Sequence, residues 1–181
     1  PTGNYTAKVK AGGAVFTKNI RIETIMPNRL KLNLDFNTKM LTAASAKDLK
    51  GTLQINWLHG APGKNLEAKV DVSFSGKETE FKGYPGYAFE NPASSFYSES
   101  TTIFDGRTDE NGFTPVNAAF AEIKNAPGFL NANFTVRGFE EGGTFSTDRF
   151  SMPYSPYTHY VGIKIPDAPK ERGYLETDTD Q

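Results

Sequence analysis

Cysteine is absent from the 181-residue chain. That absence excludes disulfides, thiolate metal sites, thiol nucleophiles and iron–sulfur clusters, but leaves the cellular compartment open. Histidine is almost absent, with only His59 and His159 available as imidazole bases or ligands. One falls in a turn and the other in a tyrosine-rich stretch, without a zinc-binding spacing, so neither is expected to be chemical. There is no excess charge of either sign: 20 Lys and Arg face 21 Asp and Glu. This balance exerts no general pull toward nucleic acid or anionic lipid. No apolar run approaches the ~20 residues of a membrane-spanning helix. No Gly-x-Ser-x-Gly elbow supports a serine nucleophile, and Gly3, Gly12 and Gly13 lead into no phosphate-binding Gly-Lys-Ser/Thr. Helical signal is scarce as well: Thr42–Leu49 alone has the propensity, and it is too short for more than a turn or two.

What the chain does contain is 14 Phe, 8 Tyr, 17 Gly and 11 Pro, the composition of many short strands joined by turns. Apolar and polar residues alternate with period two, the pattern of a strand half-buried in a sheet. The alternation is clearest in Leu30-x-Leu32-x-Leu34-x-Phe36, Leu53-x-Ile55-x-Trp57, Leu66 through Phe74, and Leu130 through Val136. Further strands are expected at 5–10, 15–25, 100–104, 144–150 and 159–165. Thr52–Phe74 reads as a hairpin around the turn His59–Asn65, with the only tryptophan, Trp57, anchoring one end of a core. Asp105-Gly106 is expected to turn, and Asn111-Gly112 to be a hairpin turn. Met152–Tyr157 is expected to be a proline-braced connection, and Asp167–Arg172 an exposed linker. The fold class is all-β, an antiparallel β-sandwich.

Candidate chemistry is thin. Asp105, Asp109 and Glu110 are spaced closely enough to suggest calcium, but an Asp/Asn/Gly turn explains the same letters. Glu140 and Glu141 could suggest glycoside hydrolysis, yet adjacent strand residues point to opposite faces. Tyr84, Tyr87, Phe89, Phe96, Tyr97, Tyr154, Tyr157 and Tyr160 could form an aromatic platform for sugar, or plug the ends of the sandwich. Asn4 and Asn133 begin Asn-x-Thr sequons, although Asn133 falls inside a predicted strand. No catalytic residue, metal site or cofactor is expected.

Several strings, in consistent order, carry a resemblance. They are Ile22–Lys31 (IETIMPNRLK), Trp57–Leu66 (WLHGAPGKNL), Asp105–Gly112 (DGRTDENG), Phe139–Asp148 (FEEGGTFSTD) and Ser155–Gly162 (SPYTHYVG). Together they resemble the bacterial α2-macroglobulin family. The resemblance implies a seven-stranded, fibronectin type III-like macroglobulin domain from a large periplasmic protease inhibitor, often lipid-anchored, which collapses around a protease that cuts its bait region. The covalent thioester carried by many members cannot lie here, because it needs a cysteine. Residues 28–156 would form one domain. Residues 1–27 would be the last strands of a preceding domain, and 157–181 the start of the next domain or a linker. Neighbouring macroglobulin domains and, through the full-length protein, target proteases are the expected partners; nucleic acid and direct membrane insertion are not expected. The polar opening Pro1–Asn4 and the abrupt close at Gln181 suggest a segment of a longer polypeptide, with any lipoprotein anchor lying outside it. The terminal stretches 5–25 and 159–165 are expected to pair with each other, with the sandwich edge or with another chain. A carbohydrate-binding or adhesin-like sandwich is the alternative; a β-sandwich hydrolase ranks third.

Overall fold

Strand formation follows the alternation closely in the computed structural model, which describes residues 3–22, 28–91, 93–121 and 123–164. The strands are β1 (Gly3–Ala11), β2 (Ala14–Ile22), β3 (Leu30–Asp35), β4 (Leu41–Thr42), β5 (Leu49–Trp57), β6 (Glu67–Gly76), β7 (Thr101–Arg107), β8 (Phe113–Ala118), β9 (Leu130–Phe139) and β10 (Phe145–Ser155). β3–β10 make two facing sheets. One has three strands in the order β3-β5-β8, and the other five in the order β4-β10-β9-β6-β7. All pairings are antiparallel except the two-residue contact of β10 with β4. The sandwich therefore has seven full strands plus the short β4.

In the sandwich, the oily faces of β3, β5, β6, β8 and β9 turn inward. β9, at the centre of its sheet, buries every second residue from Leu130 to Gly138. Leu53 and Ile55 of β5 and Val70 and Val72 of β6 complete the middle of the core. At roughly 1.5–3 kcal/mol per fully buried large apolar side chain, this set supplies most of the stabilisation. Phe134 is ringed by Phe36 and Phe150, each with its centroid 5.0 Å away. Thr42–Leu49 is not a helix beyond the single 3₁₀ turn Ser45–Lys47.

Connectivity departs from the expected hairpins. β5 pairs with β3 and β8, whereas β6 pairs with β7 and β9. Thr52–Phe74 is thus no hairpin, and its connection crosses between the sheets. The chain folds back on β5 only briefly, where Trp57 N–H donates to Ala61 O (2.8 Å) and Gly63 N–H to Ile55 O (2.9 Å). It then leaves for the other sheet. The Asn111-Gly112 turn likewise joins β7 to β8 in the facing sheet. Asp105 and Gly106 lie within β7 rather than in a turn, and β10 continues through Met152–Ser155. Pro153 and Pro115 are tolerated because β10 and β8 lie at or near sheet edges.

The terminal stretches also pair differently. β1 and β2 form a two-stranded sheet of their own, with Tyr5 opposite Ile20 and Val9 opposite Phe16. Gly12 and Gly13, both at positive φ, close this local hairpin, and a short loop costs less entropy than a long-range partner. In place of the strand expected at 159–165 there is one bridge, between Ala88 and Ile163. Residues 23–27, Ile165 and 166–181, including the Asp167–Arg172 linker, lie outside the described residues.

Candidate functional site

The two inter-sheet crossings meet at one end of the sandwich and interlock there. Thr108 is the link. It is 4% exposed; its hydroxyl donates to Gly63 O (2.5 Å) and accepts from Leu66 N–H (2.9 Å). Its own N–H donates to Leu66 O (3.0 Å). Asp109 Oδ1 accepts from the N–H groups of Asn111 and Phe113, at 2.8 and 2.9 Å, so it caps the turn. Gly112 has φ +80°, and a Cβ there would stand 2.4 Å from Ile55 O. Only glycine allows that approach. The three carboxylates whose spacing suggests calcium have other partners: Asp109 holds backbone amides, Glu110 pairs with Lys64 and Asp105 with Lys69. Asp105 hydrogen-bonds the Lys69 ammonium and raises its pKa above the ordinary value. Among the described residues, no three His or carboxylate groups converge on a common point.

At the same end lies the incoming joint, the approach to β3. The Asn28 side chain bonds the Thr147 backbone twice, through Nδ2 to O (2.9 Å) and Oδ1 from N–H (3.1 Å). This amide imitates a strand partner along the edge of β10. Ser146 Oγ, buried, accepts from the N–H groups of Arg29 and Leu30 at 3.0 and 3.1 Å. The Arg29 guanidinium reaches Glu140 Oε2 at 2.7 Å and lies 5.4 Å from the Trp57 ring centre. His59 stacks on Trp57, with ring centroids 6.1 Å apart. Trp57 does anchor an end of the core, half-buried against it. Glu140 is thus a structural carboxylate rather than half of an acid pair with Glu141.

The opposite end holds the outgoing segment and most of the aromatics. Phe81 is surrounded by Phe89, Phe129 and Tyr160 at centroid distances of 4.7, 5.4 and 5.5 Å. Tyr157 OH donates to Ala126 O, and Tyr160 OH shares a hydrogen bond with Ser155 Oγ, both at 2.8 Å. Burial pushes the Tyr160 phenol pKa above its ordinary value, against the opposing pull of Ser155. Ala88 and Ile163 exchange two backbone hydrogen bonds, at 2.8 and 2.9 Å. A Cβ on Gly162 would come 2.4 Å from the Phe89 ring, so glycine makes room for it. Beside this packing is an open cleft of about 460 Å³ lined by Phe81, Tyr84, Tyr87, Phe89, His159 and Tyr160 among others.

A sugar platform does not emerge from these rings. Tyr154 is 1% exposed and packs on Phe74 in the core. Tyr84 and Tyr87 meet at 82°, edge to face, and Tyr97 bridges to Ser75 on another part of the surface. His159 lies at the outgoing end and bonds its neighbour Thr158, at the opposite end from His59. The Asn133 amide bridges β6 and β10, donating to Ser75 Oγ (3.0 Å) and accepting from Ser151 Oγ (2.7 Å); in that place it serves as a cross-strand tie. Thr108 and Ser146 carry no chemical signal of their own. Their only mark in the sequence is membership in the strings Asp105–Gly112 and Phe139–Asp148.

Solved structures share this architecture. E. coli α2-macroglobulin in its native conformation matches with a TM-score of 0.63 and 21% identity, over 91% of this chain and 10% of that one. Salmonella α2-macroglobulin reacted with methylamine gives 0.61 and 23%, over 91% and 10%. E. coli α2-macroglobulin activated by porcine elastase gives 0.58 and 21%, over 97% and 15%. The chain therefore spans only about a tenth to a seventh of these relatives. No curated protein sequence is matched. The family model for the bacterial α2-macroglobulin MG5 domain matches residues 28–156, and the chain accordingly belongs to the bacterial α2-macroglobulin family.

Proposed function

We propose that this chain is a non-catalytic structural module of a bacterial α2-macroglobulin-like protease trap, holding neighbouring domains of the same polypeptide in fixed relation. The observation that carries the reading is the double attachment to β10. The incoming joint bonds to Thr147 and Ser146, near the start of that strand, through Asn28, Arg29 and Leu30. The outgoing segment is fastened at the last residue of β10, where Ser155 Oγ donates to Tyr157 O and shares a hydrogen bond with Tyr160 OH. β10 has 11 residues and so spans about 35 Å at the usual strand rise. One continuous strand thus links the two joints, and tilting one should carry the other.

The first hairpin fits the same reading. Alternation places Tyr5, Val9, Phe16 and Ile20 on one face, and all four are exposed. A sheet of only two strands is marginal in water on its own. The final strands of a preceding domain would have that face covered by the opposite sheet of their own sandwich. Residues 157–181 then lead toward a following domain, and the parent is assigned to the periplasm or cell envelope with a lipoprotein anchor outside this segment.

The test starts from the gene. A product about ten times longer, with a bait segment, is expected. The purified parent mixed with trypsin should suppress digestion of a large protein substrate while a small chromogenic peptide is still cleaved. Equal inhibition of both, or neither, would overturn the trap reading.

A further inference from the structure

A cavity of about 370 Å³ opens on the side of the sandwich, between the stretch that enters β7 and the one that leaves β8. Its floor is Val72 and Phe74, both buried core residues, and its walls are Phe96, Ile103, Phe120 and Ile123. That volume falls at the small end of ligand pockets, which run to roughly 300–1,000 Å³. Both walls are fixed. Gly76 N–H donates to Phe96 O (3.0 Å) and Ser98 N–H to Phe74 O (2.9 Å), while Ser98 Oγ accepts from Phe74 N–H (2.8 Å). On the other side Phe120 N–H donates to Ala46 O (2.9 Å), and the Phe120 ring meets Phe74 edge to face at 5.6 Å. The hollow is therefore held open by the fold itself.

Two features define what it can hold. At the register shift between Val70 and Asp71, Ile103 is left without a partner on β6. A bulge turns an edge strand away from further pairing and re-aims a side chain, here into the cavity wall. β7, the last strand of its sheet, is thus blunted against an added peptide strand. The mouth carries Glu99 and Lys124, both exposed and opposite in charge. Neither is in an ion pair among the described residues. We propose that the cavity binds a single-chain amphiphile with a zwitterionic head. Its alkyl chain lies on Val72 and Phe74, the cationic end of the head faces Glu99, and the anionic end faces Lys124. A purely anionic head meets the Glu99 carboxylate, a purely cationic one meets the Lys124 ammonium, and an uncharged one leaves both unused. The chain supplies the affinity, about fourfold for each methylene taken from water. The exposed charges choose the head, each contributing no more than about fivefold. Such binding is independent of the modular role proposed above and stands or falls without it.

Dodecylphosphocholine, kept below the concentration at which it forms micelles, is the probe, added to the 181-residue chain labelled at its Ile, Leu and Val methyl groups. The methyl resonances of Val72, Ile103 and Ile123 should shift and saturate together. Decylphosphocholine, two methylenes shorter, should bind about 15-fold more weakly. Ala121→Trp, at an exposed position of the lining, should weaken binding at least tenfold and leave the urea midpoint unchanged. Dodecanoate should bind less tightly than dodecylphosphocholine to the native chain, and Glu99→Gln should narrow that gap. Shifts at Val9, Val15 and Ile20, exposed on the first hairpin, in place of the cavity methyls would overturn the proposal by showing adsorption to an oily surface. Equal affinity of the two chain lengths, or of the native chain and Ala121→Trp, would overturn it as well. Tighter binding of a phenylalanine-rich peptide at the same methyls would replace the amphiphile with a peptide.

Discussion

Replacing Thr108 by valine changes one oxygen for one methyl group and leaves the shape of the site nearly intact. The consequence should still be large. In the mutant the Leu66 N–H and the Gly63 carbonyl, both on buried residues, lose the hydroxyl that joins them at 2.9 and 2.5 Å. A buried backbone group left unpaired costs about 1–3 kcal/mol. Two such groups, less about 0.8 kcal/mol for the extra buried methyl, give a net destabilisation of about 1–5 kcal/mol. In a chain of this size that lowers Tm by about 2–20 °C. Thr108→Ser keeps the hydroxyl and should lose about 1 kcal/mol, the value of a methyl. The assay is urea unfolding followed by fluorescence of Trp57, the only tryptophan, which sits at the crossing that Thr108 fastens. The midpoint of the valine variant should fall with the slope unchanged. If valine and serine lie within about 0.5 kcal/mol of each other, the surface-variant range, the interlocking of the two crossings contributes nothing and the reasoning is wrong.

Arg29→Ala should destabilise by about 1–3 kcal/mol, because it removes a charged partner from the largely buried Glu140; a double-mutant cycle with Glu140→Gln should return most of that as coupling. Gly162→Ala should cost about 1–3 kcal/mol by overpacking against Phe89, seen as a lower urea midpoint. A chain ending at residue 156 should be less stable than one ending at 164 and bind more of a hydrophobic dye, since it strips Tyr160 from the Phe81 and Phe129 rings; equal midpoints would refute the fastening of the outgoing segment. The Tyr160 phenol has its folded pKa raised above 10.0. The folded state therefore holds that proton more tightly, and the stability so gained is present below about pH 10 and lost as pH rises through the folded value. The stability advantage of the native chain over Tyr160→Phe should shrink as pH rises above about 10.

The period-two alternation exposed the strands because a half-buried strand cannot avoid it. β9 is the clearest case, with each inward residue apolar from Leu130 to Val136. Pairing was another matter. Trp57–Leu66 has the glycines and proline of a hairpin turn, and it does turn, folding back on β5 for three residues before crossing to the facing sheet. A turn's chemistry fixes the local direction of the chain; the sheet it reaches depends on partners far away in sequence. Here that partner is Thr108, a hydroxyl 45 residues from Gly63. The same logic applies to the candidate chemistry. Asp105, Asp109, Glu110 and Glu140 looked available only while their partners were unknown. In the fold Lys69, backbone amides, Lys64 and Arg29 hold them. Those fastenings, together with the hold of Asn28 and Ser146 on the incoming chain, place the residues that looked reactive where a scaffold has to be stiff.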